Sequence, residues 1–205
     1  DVGGVRINLL QPVGGEGGPG FDNNSVQRLP WGQVELVFSS CEQGELRYQS
    51  NTQGSGTLPL LRLSKVDGLN CGEATASPLA RRWTGSWFDP SHNGEGLMMH
   101  VTPSRNGPRL SALWMSYQPD GRQAAFYTAT DINSTQSAQF NSVIRPTGLN
   151  FDGSGVLQRN PWGRFDLNSS QCDRSLLSYQ SNLPEFGDGQ LNLLRFTRPL
   201  GTGCF

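Results

Sequence analysis

Residues 83–96, WTGSWFDPSHNGEG, hold the groups of this chain best suited to chemistry. Trp87 and Phe88 can stack on the apolar face of a sugar while Asp89, His92 and Glu95 bond its hydroxyls, the usual equipment of a glycan site. A competing reading gives the same residues structural work: Trp87 plugs a barrel end, Asp89-Pro90 opens a turn, and the glycines permit tight backbone geometry. As a metal or acid–base centre the loop is poor. One histidine and two carboxylates there lack the fixed ligand spacing of zinc and calcium sites, and His92 has no nucleophile or orienting partner in the sequence. A second aromatic set, Trp114, Tyr117, Phe126 and Tyr127, flanks Pro119-Asp120-Gly121. Residues three apart, or adjacent, on one strand point to opposite faces, so one of each pair faces the core and the other is left for a surface patch. The ligand-binding candidates are therefore Trp87, Phe88, Asp89, His92, Glu95, Trp114, Tyr117 and Tyr127.

Other constellations fall short. Gly153-Ser154-Gly155 reads as a turn rather than a nucleophile elbow, and the glycine-rich Val13–Gly20 lacks the Lys-Ser/Thr ending of a phosphate loop. No catalytic residue, metal ligand or cofactor is assigned, and an enzyme is not expected. With 16 basic and 17 acidic residues and no run of either sign, the chain offers no footprint for nucleic acid, and no apolar stretch is long enough to insert in a membrane. Its opening residues carry neither the basic nor the apolar region of a signal peptide, so the chain reads as mature or excised.

The elements that must position these residues are short strands. Gly (26) and Pro (13) punctuate apolar–polar alternation, which predicts antiparallel β-structure and no long helix. Strands are expected at Gly85–Phe88, Gly96–Thr102, Arg109–Tyr117, Gln123–Thr130, Ser137–Arg145, Val156–Asn168, Leu176–Gln180 and Leu191–Thr197. Successive hairpins suit an up-and-down barrel or a sandwich, and the barrel is favoured because closure removes exposed edges.

The chain also repeats itself. Residues 29–71 return as residues 160–204, with Pro-Trp-Gly, a first cysteine, Tyr-Gln-Ser-Asn, Leu-Leu-Arg and a closing Gly-x-x-Cys or its near equivalent in the same order. Pro12-Val13-Gly14 matches Pro146-Thr147-Gly148, and Phe21-Asp22 matches Phe151-Asp152. The repeat selects the disulfides Cys41–Cys71 and Cys172–Cys204, each closing a loop of about 30 residues worth roughly 3–4 kcal/mol. The second copy is preceded by a segment, 83–130, with no counterpart before the first. The expectation is an all-β chain: a four-stranded half-unit in 1–71 (Val5–Leu10, Gln33–Ser39, Glu45–Gln49, Leu58–Leu63), a linker at 72–82, and a complete eight-stranded unit in 83–205.

The motifs Gly85–Gly96, Trp114–Tyr127, Pro161–Gly163 and Cys172–Cys204 resemble those of a group of secreted bacterial repeat modules reading G-x-W-[YF]-[DN]-P-x-x-x-G-x-G, W-x-x-Y-x-x-D-G, P-W-G and a cysteine-bounded L-x-Y…L-x-R-L. The resemblance implies an exported, disulfide-bonded β module, extracellular or on a bacterial cell surface, and brings no activity or ligand residues with it. Gly-Ser-Trp-Phe at the opening is also similar to the first strand of avidin-like barrels.

A four-stranded half cannot close on itself, so residues 1–71 are expected to meet a protein partner: a second copy or other subunit, a preceding half-unit that was cut proteolytically and stays bound, or the barrel of the same chain. The expected function is assembly through that half-unit. The alternative is a glycan or small apolar ligand at the aromatic mouth.

Overall fold

The computed structural model describes residues 4–69, 71, 75–151 and 153–203. Strands β1 (Val5–Val13), β2 (Gln27–Phe38), β3 (Gln43–Ser50) and β4 (Gly54–Leu61) make one antiparallel sheet in chain order. A short helix, α1 (Pro78–Trp83), leads into β5 (Gly85–Phe88), β6 (Gly96–Ser104), β7 (Gly107–Tyr117), β8 (Gln123–Asp131), β9 (Ser137–Leu149), β10 (Gly155–Gln171), β11 (Arg174–Ser181) and β12 (Asp188–Arg195). These eight close into an up-and-down barrel in which each strand pairs with its sequence neighbours. The final seam is short, Leu194 opposite Phe88 and Arg195 opposite Trp87.

Alternation fills the barrel with side chains. Leu110, Ala112 and Trp114 of β7 point inward and are buried, as are Phe165 and Leu167 of β10. Trp114 and Phe126 pack against Trp162 with ring centroids 5.5 and 4.6 Å away, and Phe140 meets Phe165 at 4.7 Å. Each such side chain stabilises the fold by about 1.5–3 kcal/mol through burial.

Several details depart from the sequence reading, among them β2, which begins at Gln27 rather than Gln33, and β9, which runs on to Leu149. Residues 72–82 carry no strand pattern, yet Pro78–Trp83 is helical, because Ser77 Oγ accepts the Ala80 amide and Pro78 supplies a preset first turn. The helix buries Ala80 and Trp83, and the Trp83 indole donates to Ser134 O at 3.0 Å. Strands β4 and β12 also begin earlier than expected, at Gly54 and Asp188. Gly56 and Gly189, which precede the expected strands, lie inside the observed ones opposite Tyr48 and Tyr179, whose rings occupy the space of a side chain there: a Cβ on Gly56 would come within 2.6 Å of the Tyr48 hydroxyl.

Cys41 and Cys71 are disulfide-bonded with their Cα atoms 6.0 Å apart. The expected Cys172–Cys204 bond lies outside the described residues because Cys204 does. Among the described residues no helix is long and apolar enough to cross a membrane.

Candidate functional site: the open half-unit

Strand registers in the half-unit assemble continuous rows across all four strands. Val5, Leu36, Leu46 and Leu58 stand opposite one another in order, and the adjacent row is Ile7, Val34, Tyr48 and Gly56. Both rows lie on one face. The other face carries ion pairs, Arg6–Glu35 at 3.0 Å, Arg47–Glu35 at 3.4 Å and Arg47–Glu45 at 3.0 Å, and the Arg6 guanidinium holds the Glu35 carboxyl below its usual range. The sheet is thus polar outside and apolar inside, like a wall of the barrel.

In the barrel the corresponding rows are Ala138, Leu167, Leu177, Leu191 and Phe140, Phe165, Tyr179, Gly189. The side chains at Leu167 and Leu177 are 0% exposed there, and burial pushes the Tyr179 hydroxyl up to about 12. In the half-unit Val5 is 56%, Ile7 39% and Leu58 38% exposed, and Val34 is the sole buried apolar residue of the two rows. Strands β1 and β4 each pair on one side only among the described residues. Pro59 blunts the β4 edge by removing an amide at the position where Asn192 of β12 donates to Asp89 Oδ2 at 2.6 Å.

Local bonding is the same in the two units. Trp31 O accepts the Asn51 amide at 2.9 Å and Ser50 Oγ at 3.1 Å; Trp162 O accepts the Asn182 amide at 2.7 Å and Ser181 Oγ at 3.1 Å. Arg62 and Arg195 differ in their surroundings. Arg62 is exposed and reaches the Cys41 and Cys71 sulfurs at 3.5 and 3.6 Å. Arg195 donates to Arg81 O at 2.7 Å and to Thr84 O, lies 5.4 Å over the Trp87 ring, and is drawn down by burial to about 10.

The half-unit touches the barrel through hairpin tips. The β1–β2 connection lies on Tyr117: a Cβ on Gly15 would come within 2.5 Å of the tyrosine ring, which explains a glycine-rich run with no phosphate chemistry. Phe21 stacks on His92 at 4.6 Å, the Asn93 amide donates to Asn23 Oδ1 at 2.6 Å, Arg28 donates to Asn93 Oδ1, and the Gly14 amide donates to Gly121 O at 3.1 Å. From the barrel, Phe151 at the β9–β10 tip reaches the half-unit, 5.7 Å from Trp31 and 5.1 Å from Tyr48. It covers one end of the apolar face and leaves a groove of about 320 Å³ lined by Leu9, Trp31, Val34, Leu46 and Leu58.

The ligand candidates divide. Trp87 and Trp114 are 1% and 2% exposed in the barrel core, and Tyr117 is 0% exposed beneath the β1–β2 connection, so none of the three rings presents a stacking platform. Phe88 is partly exposed and packs against Phe196 at 5.7 Å, and Tyr127 is exposed on the outside of β8. Asp89, His92 and Glu95 do share one loop end. Asp89 Oδ1 accepts the Ser91 amide and hydroxyl at 2.8 and 2.6 Å, while Glu95 accepts from Ser116 Oγ and bonds His92 Nδ1 at 3.0 Å. That bond to Glu95 raises the His92 pKa against the opposing effect of burial. The carboxylates are engaged in holding the loop, and the loop holds the β1–β2 tip. Among the described residues, the one group of three metal-ligand atoms within reach of one another is Cys41, Glu42 and Cys71, whose thiols form the disulfide.

The sequence pairs Phe21 with Phe151 but gives no sign that both leave their own unit, because a contact between units has no periodicity. No family model, curated protein or solved structure matches the chain.

Proposed function

We propose that the chain is a secreted interaction module that assembles with protein partners through completion of the half-unit β1–β4. One observation carries the reading. Rows of the same register are buried in the barrel and open in the half-unit, with Ala138 at 5% and Leu191 at 2% exposure against their counterparts Val5 at 56% and Leu58 at 38%. A face built like a barrel wall is stabilised by a second wall, at about 1.5–3 kcal/mol for each side chain fully covered. Main-chain pairing at the β1 and β4 edges adds affinity, and the alternation of side chains fixes register, since a slip of one residue would turn the apolar set outward. Export is supported by the Cys41–Cys71 disulfide and by a sequence with a single lysine, Lys65.

Held apart from such a partner, the face pairs with its own kind, so the isolated chain associates. Amide hydrogen exchange at low and high protein concentration tests this. The outer amides of β1 and β4 are expected to slow as concentration rises while β5–β12 stay unchanged. Identical exchange at all concentrations contradicts the reading.

A further inference from the structure

Phe21 and Phe151 occupy the same place in the repeat, at the tips of the β1–β2 and β9–β10 connections, and each is inserted into the other unit. The two insertions are unequal. The Phe21 segment meets both halves of the barrel: His92 at 4.6 Å and Tyr117 at 6.0 Å from the β5–β8 half, and the Phe186–Gly187 backbone of the β9–β12 half, close to Gly18 and Pro19. Phe151 meets Trp31 and Tyr48, which belong to a half of the β9–β12 kind, and is 46% exposed. Trp31 and Tyr48 are the counterparts of Trp162 and Tyr179, on which Trp114 packs in the barrel at 5.5 and 5.1 Å, so Phe151 fills only part of the place that a covering half occupies.

Resting on the reading of β1–β4 as an assembly face, we infer that its partner is a four-stranded half-sheet of the β5–β8 type, with aromatic residues on its third and fourth strands that cover Trp31 and Tyr48 as Trp114 covers Trp162 and Tyr179 and Phe126 covers Trp162 in the barrel. The chain itself supplies the precedent, since β5–β8 is what covers the corresponding face of β9–β12. A second copy of β1–β4 brings two edges and an apolar face but no counterparts of Trp114 and Phe126. The registers also set the junction. Val34 pairs with Ile7 as Phe165 pairs with Phe140, which aligns Gly4 with Ser137, so a half ending at residue 136 joins Gly4 without a linker.

The experiment joins a copy of residues 78–136 directly ahead of Gly4 in the otherwise intact chain and follows amide hydrogen exchange and mass by light scattering. The expected product is a monomer in which the outer amides of β1 and β4 slow by about 100-fold, and in which Trp114→Ala made in the added copy alone removes about tenfold of the new protection while the original β5–β12 barrel exchanges as before. That barrel is the internal control for folding. If the joined chain associates as strongly as the unjoined one and the added segment exchanges like unfolded chain, the inference is overturned while the assembly reading stands. If β1 and β4 gain no protection in either chain at any concentration, both fall.

Discussion

Trp162 and Trp31 hold the same place in two copies of one sequence and lie in opposite environments. Trp162 is 0% exposed beneath Phe126 and Trp114, whereas Trp31 is partly exposed against Phe151. Local structure around them is shared, including acceptance of the Asn182 and Asn51 amides by their carbonyls, so what separates them is the presence of a second wall. Trp162→Ala is expected to destabilise the barrel by about 3–5 kcal/mol and Trp31→Ala by about 1 kcal/mol or less, read from denaturant unfolding followed by near-ultraviolet circular dichroism. Equal costs would contradict the difference in packing.

The arginine pair makes a parallel case. Arg195 ties α1 to the β12–β5 seam through Arg81 O and Thr84 O, so Arg195→Met is expected to cost about 3 kcal/mol and to loosen the α1 end of the barrel first. Arg62→Met, at an exposed position, is expected to cost under about 1 kcal/mol. Melting temperatures of the two variants decide this.

His92 gives the contact between units a pH dependence. Its neighbours are Glu95, which bonds it, Asp89, Tyr117 and the stacked Phe21, with Arg28 on the adjoining Asn93. Because the folded pKa is raised above 6.5, the stabilisation is fully present below about pH 6.5 and is lost as pH rises through the raised value. Protection factors at the amides of residues 14–25, corrected for the intrinsic rise of exchange with pH, are expected to fall across that window in the native chain and to be flat in His92→Gln. Parallel curves for the two proteins would contradict it.

The Cys41–Cys71 bond closes a loop around β3 and β4. Cys41→Ser with Cys71→Ser is expected to lower half-unit stability by about 3–4 kcal/mol on the chain-entropy account, with β5–β12 protected as before. Loss of barrel protection would show that the two units unfold as one.

Much of the fold was legible in the sequence because alternation reports it directly. β5 coincides with its expected bounds and the order of all twelve strands follows the pattern of apolar residues and glycine turns. What escaped was decided by contacts across the fold. Gly56 and Gly189 are inside strands because tyrosine rings lie over them, and α1 was hidden in a segment of linker composition although Ser77-Pro78 marks its start. The same limit applied to the site. Trp87, Trp114 and Tyr117 have the composition of a sugar platform; only the closed barrel shows the two tryptophans to be core, only the docked β1–β2 connection shows Tyr117 to be covered, and the reach of Phe21 and Phe151 into opposite units leaves no trace in spacing.

The mass of the unreduced chain by size-exclusion chromatography with light scattering, over a range of concentrations, tests the central claim most directly. The account predicts a defined assembly above 22.4 kDa that reverts to 22.4 kDa when Ile7→Glu and Leu58→Glu charge the open face, with the barrel intact. A native chain that stays at 22.4 kDa at every concentration would contradict it.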